Sequence, residues 1–234
     1  EFSVVSEGGK DAIIYGLGAI KGVGGAAIEN ILEEQAKGEF KDIDDFVSRV
    51  DNFKVNKKVF ESLIKSGSFD SFGLTRKMML NNLDNIVEAC KNAATIKKNA
   101  AESLFGDDES MATVKTSLVR DDSELELKTK LKFELESVGI YLSGHPLDEY
   151  REQISKIRYT LSDKFDELPE NGEMLLVGKI EDLTTRISKK NGKKMGTIEM
   201  LDLYGTVEIA VFDRQLGAVE SMSPDERDLP HVFK

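Results

Sequence analysis

Four lysines flank one Asn-Gly pair in the stretch SKKNGKKMG, Ser188 to Gly196. The ammonium groups of Lys189, Lys190, Lys193 and Lys194 can each neutralise a phosphate, and every phosphate so contacted adds to the salt dependence of binding. Asn191-Gly192 reads as a two-residue type I′ hairpin turn, which needs positive φ at both central positions. A merely solubilising hairpin tip would carry the same residues. The lysines stand out because the 234-residue chain is acidic, with 43 Asp+Glu against 32 Lys+Arg and a formal net charge of −11. Overall charge therefore argues against non-specific nucleic-acid binding by the whole molecule. Local basic patches stay effective, because fields are screened beyond about 10 Å.

A second place for phosphate chemistry is IKGVGGAAI, Ile20 to Ile28. A hydrophobic residue, a Gly-x-Gly turn and a helix that opens on small residues form the helix-hairpin-helix pattern. Its glycines let the backbone approach a partner, and the second helix points unpaired N–H groups at a phosphate oxygen. Such contacts ignore base identity. The candidate residues are Lys21, Gly22, Val23, Gly24, Gly25 and Ala26. Ala26 and Ala27 fill first-turn positions where a lysine would help, so Lys21 is the nearest cation. An ordinary tight turn between two packed helices fits the pattern equally well. A poorer copy spans Leu63 to Leu80, with a turn at Gly67 followed by Thr75, Arg76 and Lys77 at a helix start. From Lys54 to Lys98 there are nine Lys/Arg and four Asp/Glu, a locally basic stretch.

Other constellations carry less. Ser143 and His145 suggest a nucleophile and a base, but no third orienting group or oxyanion feature accompanies them, so a structural turn is expected. Cys90 is the single cysteine and no Cys/His cluster suggests zinc. No catalytic residue and no metal ligand is therefore assigned. Tyr204 and Phe212 are candidate stacking surfaces for unpaired bases, with Arg186 beside them. AESLF, the residues Ala101, Glu102, Ser103, Leu104 and Phe105, could dock Leu104 and Phe105 into an apolar pocket of a partner.

The elements that must position these residues follow from periodicity. Helical spacing is expected after Gly24 as far as Gly38, from an Asp42 cap to about Asp51, over Asn56–Lys65, and in one long helix from about Leu74 to Asn99. Residues 101–124 lack periodicity and read as a flexible linker. Helices resume over about 125–138 and 148–157. Beyond Pro169 the period becomes two, with strands before and after the Asn-Gly pair and a third over Val207, Ile209 and Val211. A short helix over Arg214–Met222 and a fourth strand from His231 follow. Three strands, a helix and a strand give the order of an OB barrel whose last strand is missing. The fold class is thus α+β and multi-domain: an all-α tandem helix-hairpin-helix domain, a linker with helices, and a truncated OB-fold β-barrel. The start at Glu1-Phe2, and an end at Lys234 inside an expected strand, suggest an excerpt of a longer protein.

YGLGAIKGVG (Tyr15–Gly24), FESLIKSGSFD (Phe60–Asp70) and ESVGIYLSGHPL (Glu136–Leu147), in this order, resemble the C-terminal part of the bacterial replicative DNA polymerase III alpha subunit family. The likeness covers nearly the whole chain. It implies that residues 1–100 are the end of the fingers and the tandem helix-hairpin-helix domain holding duplex DNA. It implies that 101–124 carries the peptide for the sliding clamp (the beta subunit), with Ala101 where a Gln is usual. Residues 125–168 would be connecting helices, and 169–234 an OB domain for single-stranded template DNA. No match to the palm aspartates is found, so this portion is expected not to polymerise and to hold no cofactor, whereas the parent, a DNA-directed DNA polymerase, is expected to use Mg. The resemblance implies a role in processivity, other replicase subunits as partners, no membrane, and a cytoplasmic location. Two alternatives remain open: a stand-alone helix-hairpin-helix/OB interaction module in DNA repair, and an error-prone paralogue of the same family.

Overall fold

The computed structural model describes residues 3–7, 10–102, 114–167, 169, 172–189 and 192–234. The chain divides into two compact units, Glu1–Ser143 and Gly144–Lys234. The boundary falls inside the stretch read as connecting helices. The helix expected over 125–138 belongs with the first unit, and the next with the second.

The first unit opens with a ribbon that the sequence reading did not anticipate. Strands β1 (Ser3–Glu7) and β2 (Lys10–Ile14) pair antiparallel, with Val4 opposite Ile13. A short 3-10 turn at Leu17–Ala19 leads into α1 (Gly25–Ala36). Helices α2 (Ile43–Arg49) and α3 (Lys57–Lys65) begin at side-chain caps. Asp42 accepts from the Asp45 amide, and Asn56 from the amides of Lys58 and Val59. These caps satisfy N–H groups that a helix start leaves unpaired. Ile20, Ala27, Ile31, Phe46, Phe60 and Met79 build one core. Phe46 meets Phe60 and Phe69 edge-on, at ring separations of 5.8 and 4.9 Å. Burying a side chain such as Phe60 contributes roughly 1.5–3 kcal/mol. Cys90 belongs to this core, and burial pushes its thiol up to about 11.

The single long helix expected from Leu74 to Asn99 is two helices, α4 (Arg76–Asn81) and α5 (Leu83–Glu102). They break at Asn82, whose side chain is 2 % exposed and engaged elsewhere. Asn82 Nδ2 donates to the Val119 carbonyl (2.9 Å), and its Oδ1 accepts from the Val119 amide (2.7 Å). Residues 114–126 carry no regular structure, yet they are no loose linker. Val114 and Leu118 pack on the core, the Thr116 amide donates to Asp44 (2.8 Å), and Asn85 donates to the Ser117 carbonyl (2.8 Å). This strap runs into α6 (Leu127–Ser137).

The second unit begins with a 3-10 turn at Asp148–Tyr150 and α7 (Arg151–Ile154). Strands β3 (Leu176–Ile187), β4 (Lys194–Leu201), β5 (Thr206–Phe212) and β6 (Pro230–Phe233) form one antiparallel sheet in the order β5-β4-β3-β6. A register shift between Ile180 and Asp182 marks a bulge, which bends β3. The sheet curls into an OB-like half-barrel. α8 (Asp213–Glu220) lays Leu216 and Val219 against Ile198, Met200, Val207 and Val211. α9 (Pro224–Arg227) precedes β6 and is held by a Ser223–Glu226 capping box. No described helix is long and apolar enough to cross a membrane.

Candidate nucleic-acid interface

The first hairpin presents an open helix start. Ile20 and Val23 are 6 % and 8 % exposed and anchor the turn in the core, so Val23 is a packing residue. Gly22 has φ +93°, and a Cβ there would lie 2.6 Å from Ser62 Oγ of α3. Its freedom thus serves close packing within the fold. Gly24 is the N-cap and supplies no side-chain acceptor. The first intrahelical donors are Ala27 and Ile28, both to the Gly24 carbonyl, at 3.0 and 3.1 Å. The N–H groups of Gly25 and Ala26 make no intrahelical bond, at the positive end of the helix dipole. Gly24, Gly25 and Ala26 are exposed, and a Cβ added at either glycine would meet no atom within 4 Å. Exposed Lys21 precedes the turn. Lys58 has no place in the sequence motif, yet its Cε lies 3.6 Å from where a Gly22 Cβ would sit. Only the fold brings α3 to the turn.

The second hairpin is closed from within. Gly67 has φ +81°, and a Cβ on it would collide with the Arg76 guanidinium. Arg76 is 3 % exposed. It donates to Asp70 (2.9 and 2.7 Å), to Glu134 (2.9 Å) and to the Lys65 carbonyl (3.2 Å). Burial works against the charged guanidinium, but Asp70 and Glu134 outweigh it and raise its pKa. Arg76 is therefore a buried structural cation that cannot reach a phosphate. Thr75 caps α4 by accepting from Met78 N and donates to the Ser123 carbonyl (3.0 Å). Lys77 donates to Ser123 Oγ (2.7 Å) and pairs with Asp121 at 3.6 Å. The Glu124 carboxylate accepts from the amides of Arg76 (3.4 Å) and Lys77 (3.3 Å). Burial opposes its ionisation, but these amides and that of Leu125 hold its pKa below the usual range. The strap thus engages Thr75, Lys77 and the backbone amides at the start of α4, while Asp70 and Glu134 hold the Arg76 side chain.

Of the expected clamp peptide, Ala101 and Glu102 end α5, while Ser103, Leu104 and Phe105 lie outside the described residues. The Ser143–His145 region is structural. Glu134 accepts from the Leu142 and Ser143 amides (2.7 and 2.9 Å) and from Ser143 Oγ (2.5 Å). His145 Nδ1 accepts from the Leu147 amide (3.1 Å), and burial lowers the pKa of its ring.

In the second unit the sheet register sorts the expected residues. Directly opposed residues on antiparallel strands share a face. Arg186, Met195 and Phe212 form one cross-strand row on the face away from the core, near the hairpin end. Phe212 is 48 % exposed. Tyr204, 68 % exposed, stands in the turn at the opposite end of β5, held out by the buried Asp202 carboxylate, which accepts from the Tyr204 amide (2.7 Å). At about 3.3 Å per residue the two rings are roughly 20 Å apart and cannot share one stacking platform. Between them, Asp182, Glu199 and Glu208 form a row of carboxylates on the same face.

The hairpin itself departs from the two-residue type I′ turn. Ile187 pairs with Lys194, and the Ser188 amide donates to the Lys193 carbonyl (2.8 Å). That register puts Ser188 and Lys193 at the base of the loop, and Asn191 of the expected Asn-Gly pair lies outside the described residues. Gly192, with φ +65°, donates to the Ser188 carbonyl (2.9 Å). Lys189 is exposed, and Lys190 lies outside the described residues. Lys193 pairs with Asp213 at 3.7 Å, both side chains exposed, and Lys194 pairs with Glu220.

A family model described as a helix-hairpin-helix motif matches residues 1–79. Among curated proteins, the chain is similar to DNA polymerase III subunit alpha of Campylobacter jejuni, 48 % identical over 226 residues, covering 97 % of this chain and 19 % of that relative. The namesake of Helicobacter pylori strain J99 is 43 % identical, with 95 % and 18 % covered, and that of Borreliella burgdorferi is 35 % identical, with 91 % and 18 % covered. The chain spans about one fifth of the length of these relatives.

Proposed function

The chain belongs to the DNA polymerase III alpha subunit family, and from that premise we propose that it is a DNA-holding portion of such a subunit. Duplex DNA is gripped at the first hairpin, where phosphate oxygens meet the free amides of Gly25 and Ala26 with Lys21 and Lys58 alongside. The observation that carries this reading is the uncapped, exposed start of α1 in open space, beside two cations. A helix start of this kind is a ready anion site that is indifferent to sequence.

Single-stranded template is assigned to the hairpin end of the sheet, with Lys189, Lys190, Lys193, Lys194 and Arg186 on phosphates and Phe212 under a base. The carboxylate row at Asp182, Glu199 and Glu208 supports this end, since it repels phosphate along the rest of the face. The peptide Ala101–Phe105 is assigned to the sliding clamp, so that the portion serves processivity. No catalytic step and no cofactor are assigned to it. Nucleotidyl transfer, with its Mg, belongs elsewhere in the cytoplasmic parent enzyme.

Fluorescence anisotropy with duplex and single-stranded oligonucleotides across a salt series tests both assignments. Alanine at Lys189, Lys190, Lys193 and Lys194 is expected to weaken single-strand binding and flatten its salt slope while duplex binding survives. Unchanged single-strand binding would make these lysines a solvated tip.

A further inference from the structure

The turn that enters α3 carries the most exposed large apolar side chain among the described residues, Phe53, at 86 %. The turn is firmly held. The Asp51 amide donates to Asn30 Oδ1 of α1 (2.8 Å), and the Phe53 amide donates to Asp51 Oδ1 (2.8 Å). The Lys54 and Val55 amides both donate to the Asp51 carbonyl, at 3.1 and 2.8 Å. Val50 and Val55, 3 % and 1 % exposed, fix the flanks in the core. The backbone is thus fixed on both sides while the ring stands in water, at a place where Gly, Asn, Asp or Ser would serve a turn.

The surroundings select a partner. Lys54, Lys58 and Lys21 are exposed, and among the described residues none of them is ion-paired, whereas Lys57 is bound to Asp84 at 2.5 Å. Lys58 joins this turn to the open helix start, because it sits on the first turn of α3 and lies against Gly22. A lone ring among unpaired cations, continuous with a phosphate-binding helix start, suits a nucleic-acid groove better than an apolar protein face.

We infer that Phe53 enters a groove of the duplex held by the first hairpin and packs on deoxyribose and base edges, with Lys54 and Lys58 on the flanking phosphates. Proteins that bind the minor groove bring apolar side chains such as Phe against the bases there, as wedges between base steps. The inference rests on the reading of the first hairpin as a duplex contact.

Duplex titrations over a salt series, with the whole 234-residue chain, test it. Phe53→Ala is expected to weaken duplex binding about fivefold or more without changing the log-log salt slope, since no charge is lost. Lys58→Ala is expected to reduce the slope by about 0.9. A photo-crosslinking p-benzoylphenylalanine at position 53 is expected to attach to a DNA strand. The thermal midpoint of Phe53→Ala should equal that of wild type, because the ring is exposed. Wild-type affinity in Phe53→Ala, or no crosslink to DNA while the chain still binds duplex, overturns the inference alone. Failure of wild type to bind duplex overturns the hairpin reading and the inference together.

Discussion

The Arg76 guanidinium lies 2.9 Å from the Glu134 carboxylate, with the two side chains 3 % and 0 % exposed. This pair, with Asp70 on its outer side, ties α4 to α6 and keeps the second hairpin for structure. Removing one partner of a buried pair leaves an uncompensated charge. Glu134→Ala is therefore expected to destabilise the first unit by about 3–5 kcal/mol, read by denaturant unfolding.

The same pair sets a pH dependence. Burial opposes ionisation of Glu134, but Ser143, the Leu142 amide and Arg76 outweigh it and lower its pKa. In acid the unfolded chain then binds more protons than the folded one, so stability falls with pH. The contribution is complete above the ordinary glutamate value of about 4.3 and is lost as pH drops through the depressed folded value. Unfolding midpoints measured from pH 7 to 3 should fall below pH 5 in wild type and less steeply in Glu134→Gln.

The strap predicts a protease pattern. Lys115 and Arg120 lie in it, and the segment 103–113 contains no Lys or Arg. Trypsin should cut wild type slowly at both sites, because Asn82, Asn85 and Asp44 hold the backbone there. Asn82→Ala should speed that cleavage at least severalfold, since local opening governs proteolysis. Immediate cleavage of wild type at Arg120 would instead mark a loose linker.

The two ends of the sheet should behave differently. Phe212→Ala and Arg186→Ala are expected to weaken single-strand binding, with stacking worth about 1–3 kcal/mol per base. Tyr204→Ala, at the opposite end, should leave binding unchanged. Glu199→Gln with Glu208→Gln should tighten binding at low salt, and the gain should fade as salt screens the carboxylates.

Much of this was readable in the residues. Asp42 caps where its side chain predicts, the helix expected from Asn56 starts there, and alternation along β5 puts Val207 and Val211 inside and Phe212 outside. The role of Arg76 was hidden because Glu134 lies 58 positions away, and a helix-start arginine looks the same whether it faces solvent or a buried carboxylate. The strap was hidden because side-chain-to-backbone bonds from Asn82, Asn85 and Asp44 hold it, and these leave no periodicity. The place of Lys58 is not legible in the sequence, because only the packing of α3 on Gly22 brings it to the hairpin. The hairpin register differs because a longer loop can also use a positive-φ glycine, here Gly192, at its end.

The most direct measurement is a duplex titration of Gly24→Asp. Gly24 is the N-cap of α1, its backbone (φ −80°, ψ 161°) accepts any residue, and a side chain there meets open space. An aspartate would cap the helix, keeping or slightly raising the thermal midpoint, while its carboxylate competes for the amides assigned to phosphate. The expected result is an intact fold with duplex affinity reduced about tenfold or more at low salt. Duplex binding equal to wild type across the salt series, with the helix still folded, would contradict the assignment of DNA to the start of α1.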